Sequence, residues 1–167
     1  MTIYLATDHT GLSLKNAVKN FLLEKGYQVE DCGAYELNPD DDYPDFISQA
    51  SEKVSKNPAD VAIIFGGSGQ GEAMTANKFP NVRCALFYSQ AVPVEAADIS
   101  GRQSNDPFEI LSLTRQHNHA NILSIGVRFL KEEDVLKAVL IWLETPFSEE
   151  ERHVRRVKKI KELEENL

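Results

Sequence analysis

The sequence predicts an α/β fold, a doubly wound parallel sheet of about five strands with helices on both faces. The first observation is that short β-prone segments alternate along the chain with segments whose apolar residues recur at helical spacing. The second is Val61-Ala62-Ile63-Ile64-Phe65, a continuously apolar run typical of a parallel strand covered on both faces. Together they indicate repeated βαβ units, a Rossmann-like arrangement that ends in a C-terminal helix.

Each element follows from a local pattern. Extended, β-prone runs predict strands at 2–7, 27–32, 61–65, 83–87 and about 121–125. Helical periodicity predicts helices with apolar residues at 14–22 and 46–54, and further helices at 73–78, 131–144 and 148–166. The polar stretch 33–44 predicts a turn-rich loop whose acidic residues are solvated. Because ligands bind beyond the carboxyl ends of such strands, the loops after Thr7, Phe65, Phe87 and Ile125 should carry the chemistry.

Composition bounds the class of protein. With 167 residues, 42% of them apolar, we expect one compact domain over 1–167. No apolar run approaches the about 20 residues that cross a bilayer, so we expect a cytoplasmic protein without a membrane partner. The 18 Lys and Arg against 26 Asp and Glu give a formal charge of −8, which disfavours nucleic acid as a partner. Cys32 and Cys84 match no metal-ligand spacing, and we expect both to be reduced.

A glycine-rich loop, Gly66-Gly67-Ser68-Gly69-Gln70-Gly71-Glu72, joins the central strand to the next helix. Its backbone N–H groups can converge on one point and form an anion cradle. The loop is not a dinucleotide fingerprint, because Glu72 stands where the third glycine belongs. It is not a nucleophile elbow either, because Gln70 stands where glycine is required. It comes closer to a phosphate loop, but Glu72 and Ala73 replace the lysine and the hydroxyl residue.

A carboxylate beside preorganised N–H donors can remove a proton next to a carbonyl and stabilise the resulting enediolate. In this interpretation Glu72 is a general base, and Ser68 has a separate role in the loop. An equally open interpretation is that Glu72 is only a favourable acid in the first turn of a helix.

Histidines supply further candidates. Asp8-His9 follows the first strand, at the same sheet edge as the glycine loop. His117 precedes the fifth strand and could act as a general acid or base near neutral pH, although such histidines are often plain polar loop residues. His117 and His119 could instead form a metal pair, but no third ligand has a convincing spacing.

The C-terminal helix carries Arg152 and Arg156 four residues apart, so both lie on one face and could hold a phosphate dianion. The alternative is that an apolar series packs this helix and leaves its arginines solvated. Charge clusters on terminal helices are usually of that second kind. The apolar series is Val154, Val157, Ile160 and Leu163.

Several separate motifs span nearly the whole chain. They are Asp8-His9, Gly66 to Glu72 with Ala76-Asn77-Lys78, Arg115-Gln116-His117-Asn118, Gly126-Val127-Arg128, and Arg152-His153 with Arg156. In this order they resemble the type B ribose-5-phosphate isomerase family, which includes the galactose-6-phosphate isomerase subunits. The resemblance implies an aldose-ketose isomerase that needs no cofactor and no metal. Its leading substrate pair is ribose 5-phosphate and ribulose 5-phosphate.

By that resemblance Glu72 moves the proton between C1 and C2 of the sugar, and His117 opens the sugar ring. Asp8 and Asn118 resemble the residues that bind the sugar hydroxyls. The enediolate is held by Ser68 and by loop N–H groups, among them those of Gly67, Gly69 and Gly71. The phosphate clamp corresponds to His9, Arg128, Arg152 and Arg156. Because the family builds each site across a dimer interface, we expect a homodimer, or a tetramer of such dimers.

Two features depart from the family. One branch uses a cysteine base at the position of Gly66, so the chain resembles the branch that uses a glutamate at Glu72. The segment 90–113 is longer than the usual connection, and we expect a helical or loop excursion near the active site. Because this segment could reshape the pocket, a hexose 6-phosphate or a tetrose phosphate stays open as the substrate. A noncatalytic sugar-phosphate-binding subunit stays open as well.

Overall fold

The sheet is five-stranded in the computed structural model, which describes residues 1–165. Its strands are β1 (Ile3–Thr7), β2 (Val29–Asp31), β3 (Val61–Gly66), β4 (Cys84–Phe87) and β5 (Ile122–Gly126). All neighbouring strands run parallel, in the order β2-β1-β3-β5-β4. The predicted parallel sheet is therefore confirmed.

Helices cover both faces of this sheet. They are α1 (Leu12–Glu24), α2 (Tyr43–Lys56), α3 (Gln70–Ala76), α4 (Glu109–Asn118), α5 (Glu132–Glu144) and α6 (Glu151–Glu164). One apolar cluster joins the sheet to α1, α4 and α5, and a second joins it to α2 and α3. Successive strand residues alternate between the two clusters, as Ile3 and Tyr4 do, because side chains of a strand point to opposite faces. This arrangement confirms the predicted helices on both faces.

The central strand explains the strongest signal in the sequence. All six residues of β3 are buried, since β1 and β5 flank it and helices cover both of its faces. A strand buried on both faces needs no polar alternation. β4 lies at the edge, and only its last residue, Phe87, is fully covered.

The structure differs from the sequence prediction at α4, which was not predicted as a helix. Its apolar face is short because Leu111 is its only buried apolar residue, and the last turns are polar. His117 therefore lies in the last turn of a helix and not in a loop. The C-terminal helix begins at Glu151 and not at 148, and the predicted residue 166 lies outside the described residues.

The apolar series of α6 does not pack inside the chain. Val154 is 45% exposed, Ile160 is 40% exposed and Leu163 is 68% exposed, because α6 lies on α4 at the outside of the molecule. The interpretation that this series packs the helix within one chain is therefore wrong. Within residues 1–165, no helix has the length and apolar character needed to cross a membrane.

Candidate active site

The candidate site lies at the carboxyl ends of β1 and β3. The chain leaves β1 toward β2 on one side and returns to β3 on the other, so the winding direction reverses between these two neighbours. A crevice forms at such a reversal, outside the carboxyl ends of the strands. Asp8 and His9 follow β1, and the loop from Gly66 to Glu72 follows β3, so the topology brings both motifs to this crevice.

Glu72 is a buried carboxyl in the first turn of α3, with 4% of its surface exposed. Its carboxylate lies directly against the Cα atom of Gly66, in the space that a Cβ atom at that position would fill. Burial raises the pKa of Glu72, a bond to its own backbone N–H opposes that rise, and the nearby charge of Asp8 adds to it. A carboxyl with a raised pKa is a better proton acceptor, so this environment suits a general base.

The contact between Glu72 and Gly66 leads to a first prediction. Gly66→Ala is expected to displace the carboxylate and to lower kcat by about 100-fold, because misplacing a catalytic group by about 1 Å has an effect of this size. The far end of a flexible side chain can yield without disturbing the sheet, so the melting temperature should change little. Steady-state kinetics and thermal unfolding of the variant would check this. An unchanged kcat would show that the position of the carboxylate is not critical.

The glycine loop offers backbone donors next to this carboxylate. Gly69 has φ of +74°, and a Cβ atom there would lie 3.0 Å from the backbone of Ile125 and Gly126, so the close approach of the loop to β5 requires glycine. Within residues 1–165, no oxygen accepts a hydrogen bond from the N–H groups of Gly67, Gly69 or Gly71. The Ser68 hydroxyl is exposed and accepts from the Gln70 N–H at 3.3 Å. These groups can together bind an oxyanion.

Arg128 places a cation over the same loop. It follows β5, and its backbone N–H donates to the Gly67 carbonyl at 3.1 Å. Its guanidinium carbon lies 3.0 Å from the position that a Cβ atom at Gly67 would occupy, so glycine is needed for this contact. The charge of Arg128 also lowers the pKa of His9.

A tight cluster of Asp8, His9 and Asp41 lines the other side of the crevice. His9 Nδ1 lies 2.6 Å from Asp41 Oδ1, and the His9 backbone N–H donates to the same oxygen at 3.1 Å. Asp8 is buried and accepts from the Thr10 N–H at 2.9 Å. The hydrogen bond that His9 donates to Asp41 raises the pKa of His9, and the charge of Asp8 adds to this effect.

The same cluster has a spacing that would also suit a cation. One ligand atom from each of Asp8, His9 and Asp41 lies within 4.8 Å of the others. The 2.6 Å contact already engages His9 Nδ1 with Asp41, so the geometry is that of an ion pair between two side chains.

A second group of predicted residues lies on α4 and α6. The ring of His117 lies 4.2 Å from the ring of the buried His153, whose Nδ1 is 2.8 Å from Ser148 Oγ. Burial lowers the pKa of His117, and the charges of His153 and Arg152 lower it further. Arg152 pairs with Glu150 at 2.8 Å, and its Nε is buried without a hydrogen-bond partner among residues 1–165.

The structure does not join the two groups within one chain. Among residues 1–165, no hydrogen bond, ion pair or ring contact links the group around Glu72, His9 and Arg128 to His117 or Arg152. α3 packs on α2 and the sheet, whereas α4 packs on α5 and α6. Two predicted residues of the second group, Asn118 and Arg156, are exposed. One chain therefore holds the predicted site residues in two separate groups.

The segment 90–113 forms an ordered excursion that ends in α4. It is closed at its base by a hydrogen bond from the Ala91 N–H to the Pro107 carbonyl, at 3.0 Å. Inside it, Arg102 bridges Asp98 at 3.0 Å and the buried Glu109 at 2.5 Å. The excursion runs directly into α4, which carries His117 in its last turn. With the end of β4, the segment lines a cavity of about 590 Å³.

Neither cysteine is placed for catalysis. Cys32 and Cys84 are both free. Burial raises the pKa of Cys32 to about 11 and also raises the pKa of Cys84. Because the thiolate is the reactive form, both thiols are unreactive near neutral pH.

Sequence reasoning missed two residues of the site, Asp41 and Tyr43. The acidic loop was expected to be solvated, but the side chain of Asp41 is only 8% exposed because it lies against His9. The Tyr43 hydroxyl lies 2.6 Å from the position that a Cβ atom at Gly71 would occupy, so it packs on the glycine loop. Tyr43 begins α2 and was predicted to lie in the loop before it. No local pattern marks either residue, since both contacts join segments distant in sequence.

Fold and site together define an α/β enzyme of the isomerase type, with a buried carboxylate beside backbone donors at the carboxyl edge of a parallel sheet. The model of the Ribose/Galactose Isomerase family matches residues 3–106 and 98–160. The chain belongs to this family, and the resemblance inferred from the motifs is confirmed.

Known relatives agree over the full length of the chain. Ribose-5-phosphate isomerase B of Mycolicibacterium paratuberculosis is 37% identical over 164 residues, which are 98% of this chain and 92% of that protein. The crystal structure of ribose-5-phosphate isomerase B from Mycoplasma genitalium with bound ribulose 5-phosphate matches with a TM-score of 0.86 and 34% identity, over 99% of this chain and 97% of that one. The type B enzyme of Trypanosoma cruzi matches with a TM-score of 0.84 and 30% identity over 100% of both chains.

Proposed function

We propose that this chain interconverts D-ribose 5-phosphate and D-ribulose 5-phosphate by proton transfer through an enediolate. The observation that carries the proposal is the buried Glu72 carboxylate, held against Gly66 and beside the open N–H groups of the glycine loop. The Mycoplasma genitalium relative, whose structure contains ribulose 5-phosphate, supports the choice of substrate.

Glu72 takes the proton from the carbon next to the carbonyl and returns it to the neighbouring carbon. The negative charge that develops on oxygen is stabilised by Ser68 and the N–H groups of Gly67, Gly69 and Gly71, which need no reorganisation during the reaction. Asp8, at the same edge, binds a sugar hydroxyl. This chemistry uses side-chain and backbone groups only, so the proposal includes no cofactor and no metal.

A second copy of the chain completes the site in this proposal. Each of the two groups of predicted residues is then a half-site. The partner's half-site supplies His117, which opens the sugar ring, and Asn118, which binds a hydroxyl. The separation of the two half-sites within one chain and the exposed apolar residues of α6 support a homodimer. Burial lowers the pKa of His117, which favours the neutral imidazole. A neutral imidazole can take the proton of the anomeric hydroxyl and return it to the ring oxygen as the bond between the anomeric carbon and that oxygen breaks.

The phosphate is bound by cations from both half-sites, namely His9, Arg128, Arg152 and Arg156. Arg152→Ala is expected to raise KM by about 10- to 100-fold, since a charge-assisted hydrogen bond contributes about 1.5 to 3 kcal/mol. The effect on kcat should be smaller, because the phosphate does not change during the reaction.

Steady-state kinetics of Arg152→Ala would test this against Arg155→Ala. Arg155 is exposed on the same helix, and its replacement removes the same charge. An equal KM for both variants would mean that Arg152 is not part of the phosphate site.

The reaction itself is tested by solvent exchange. The purified chain in D₂O should introduce deuterium at C2 of ribose 5-phosphate, because the proton that Glu72 holds at the enediolate stage exchanges with the solvent before a deuteron is returned to carbon. Absence of exchange with every sugar phosphate would contradict an isomerase and favour a noncatalytic sugar-phosphate-binding subunit. Loss of exchange with a chelator would contradict the metal-free mechanism.

A hexose 6-phosphate or a tetrose phosphate is the second candidate substrate. The observation that favours it is the 90–113 excursion, which adds a cavity of about 590 Å³ at the end of β4. Relative kcat/KM values across a panel of four-, five- and six-carbon sugar phosphates separate the candidates. A cytoplasmic location is also part of the proposal, and two free thiols suit a reducing compartment.

A further inference from the structure

The acidic loop before α2 contributes a side chain to the candidate site. Asp41 comes from this loop, which is held to the body of the molecule by Lys15. The fully buried Lys15 Nζ donates to Asp31 Oδ1 at 2.5 Å and to the Ala34 carbonyl at 2.7 Å. Asp41 thus reaches His9 from an anchored segment, and it accepts from both the ring and the backbone N–H of that histidine.

We propose that Asp41 is a positioning residue that holds His9 as an imidazolium, with Nε2–H free to donate to the substrate's phosphate. This inference rests on the proposed function, in which His9 is part of the phosphate site. With Nδ1–H donated to Asp41, a neutral His9 would present only a lone pair at Nε2, which repels phosphate. The imidazolium presents a charged N–H donor in the same place.

Burial of the pair supports the charged form. The Asp41 side chain is only 8% exposed, and its Oδ2 is buried without a hydrogen-bond partner among residues 1–165. A buried carboxylate oxygen of this kind is tolerated where a cation lies beside the group. His9 is 30% exposed, so its other edge remains open to a ligand.

The groups around His9 shift its pKa in both directions. Asp41 has the largest effect and raises the pKa of His9, and Asp8 raises it as well. Burial and Arg128 lower it. Glu72 interacts with Asp8 and so adds a negative charge to the same crevice. Removing the Asp41 charge should therefore let the His9 pKa fall, because Asp41 has the largest raising effect, whereas burial and Arg128 still lower the pKa.

Asp41→Asn is the central variant, and Asp40→Asn is the matched control. Asp40 is the preceding loop residue, is exposed, and loses the same charge. At pH 8, Asp41→Asn should raise KM for ribose 5-phosphate and Ki for inorganic phosphate by about tenfold, as expected when a charge-assisted bond becomes a neutral one. The value of kcat should stay within about twofold, because Glu72 is untouched.

The pH profile separates positioning from a merely structural role. The ratio of the variant's KM to that of the wild type should shrink as the pH falls from about 8 to about 6, where His9 protonates without help. The chain has only four histidines, so His9 can be followed by NMR and assigned with His9→Asn. A flat KM ratio, or an unchanged His9 pKa in Asp41→Asn, would overturn the inference.

Further outcomes are equally decisive. Should Asp41→Asn fold poorly, the wild-type titration carries the test, and a His9 pKa at or below the ordinary 6.5 would overturn the inference. His9→Asn separates this inference from the proposed function: an unchanged KM would remove His9 from the phosphate site whatever Asp41 does. If chelation abolished phosphate binding and added Mg²⁺ restored it, the cluster would be a metal site and not an ion pair, and the inference would be overturned.

Discussion

Replacing Glu72 with glutamine is expected to lower kcat by about 10²- to 10⁴-fold, the usual contribution of a general base. Glutamine keeps the shape of the side chain but cannot accept a proton from carbon. KM should change little, because the residues that bind the phosphate and the hydroxyls are untouched. Steady-state kinetics and deuterium exchange at C2 would both report the loss.

The pH dependence of the wild type's activity also tests the role of Glu72. Burial and Asp8 raise the pKa of Glu72, and protonated Glu72 cannot act as a base. Activity should therefore fall on acidification at a higher pH than an ordinary glutamate would cause, and Glu72→Gln should lose this acidic limb. Glu52→Gln, which removes an exposed carboxylate, is the control and should behave like the wild type. Turnover by Glu72→Gln close to that of the wild type would remove Glu72 from the mechanism.

Mixing two inactive variants is expected to restore activity if each site is shared between two chains. Glu72→Gln and His117→Asn each remove one half-site. In a heterodimer of the two, one site loses both residues and the other keeps both. With random exchange of subunits, the mixture should recover about a quarter of the wild-type activity, because half of the dimers are mixed and each has one intact site.

The experiment requires exchange of subunits, which joint refolding or co-expression with two tags provides. Each variant refolded alone is the control and should stay at its own low activity. No recovery in a mixture that contains heterodimers would mean that Glu72 and His117 serve the same chain's site. The two half-sites would then have to approach each other by a movement within one chain.

The fold could be predicted from the sequence because its signals are local. The continuous apolar run of β3 reflects burial on both faces, and the apolar residues of α1, α2 and α5 recur with the helical period of about 3.6 residues. The prediction failed at α4, where one buried apolar residue leaves almost no periodic signal. It also failed for the apolar series of α6, because a pattern shows that a face is apolar without showing what covers it.

Half of the candidate site could be predicted in the same way. The glycine loop and Asp8-His9 each follow a strand directly. Because the carboxyl ends of parallel strands lie at the same edge of a sheet, both motifs can be placed at that edge from the sequence alone. The sequence does not show which side chains occupy the space that glycine leaves open in this loop. In the structure they are Glu72 at Gly66, Leu86 at Gly69 and Tyr43 at Gly71. Asp41 was missed because its run of neighbouring acids is typical of a solvated loop.

The sequence by itself determined the five strands, every helix except α4, the loop that carries Glu72, and the family to which the chain belongs. These features depend on residue identity and spacing, which folding does not alter. Only the tertiary structure decided that Asp41 lies 2.6 Å from His9, that Glu72 fills the space above Gly66, and that His117 lies apart from both. Such contacts join distant segments, and their geometry depends on how helices pack on the sheet, which no local pattern encodes.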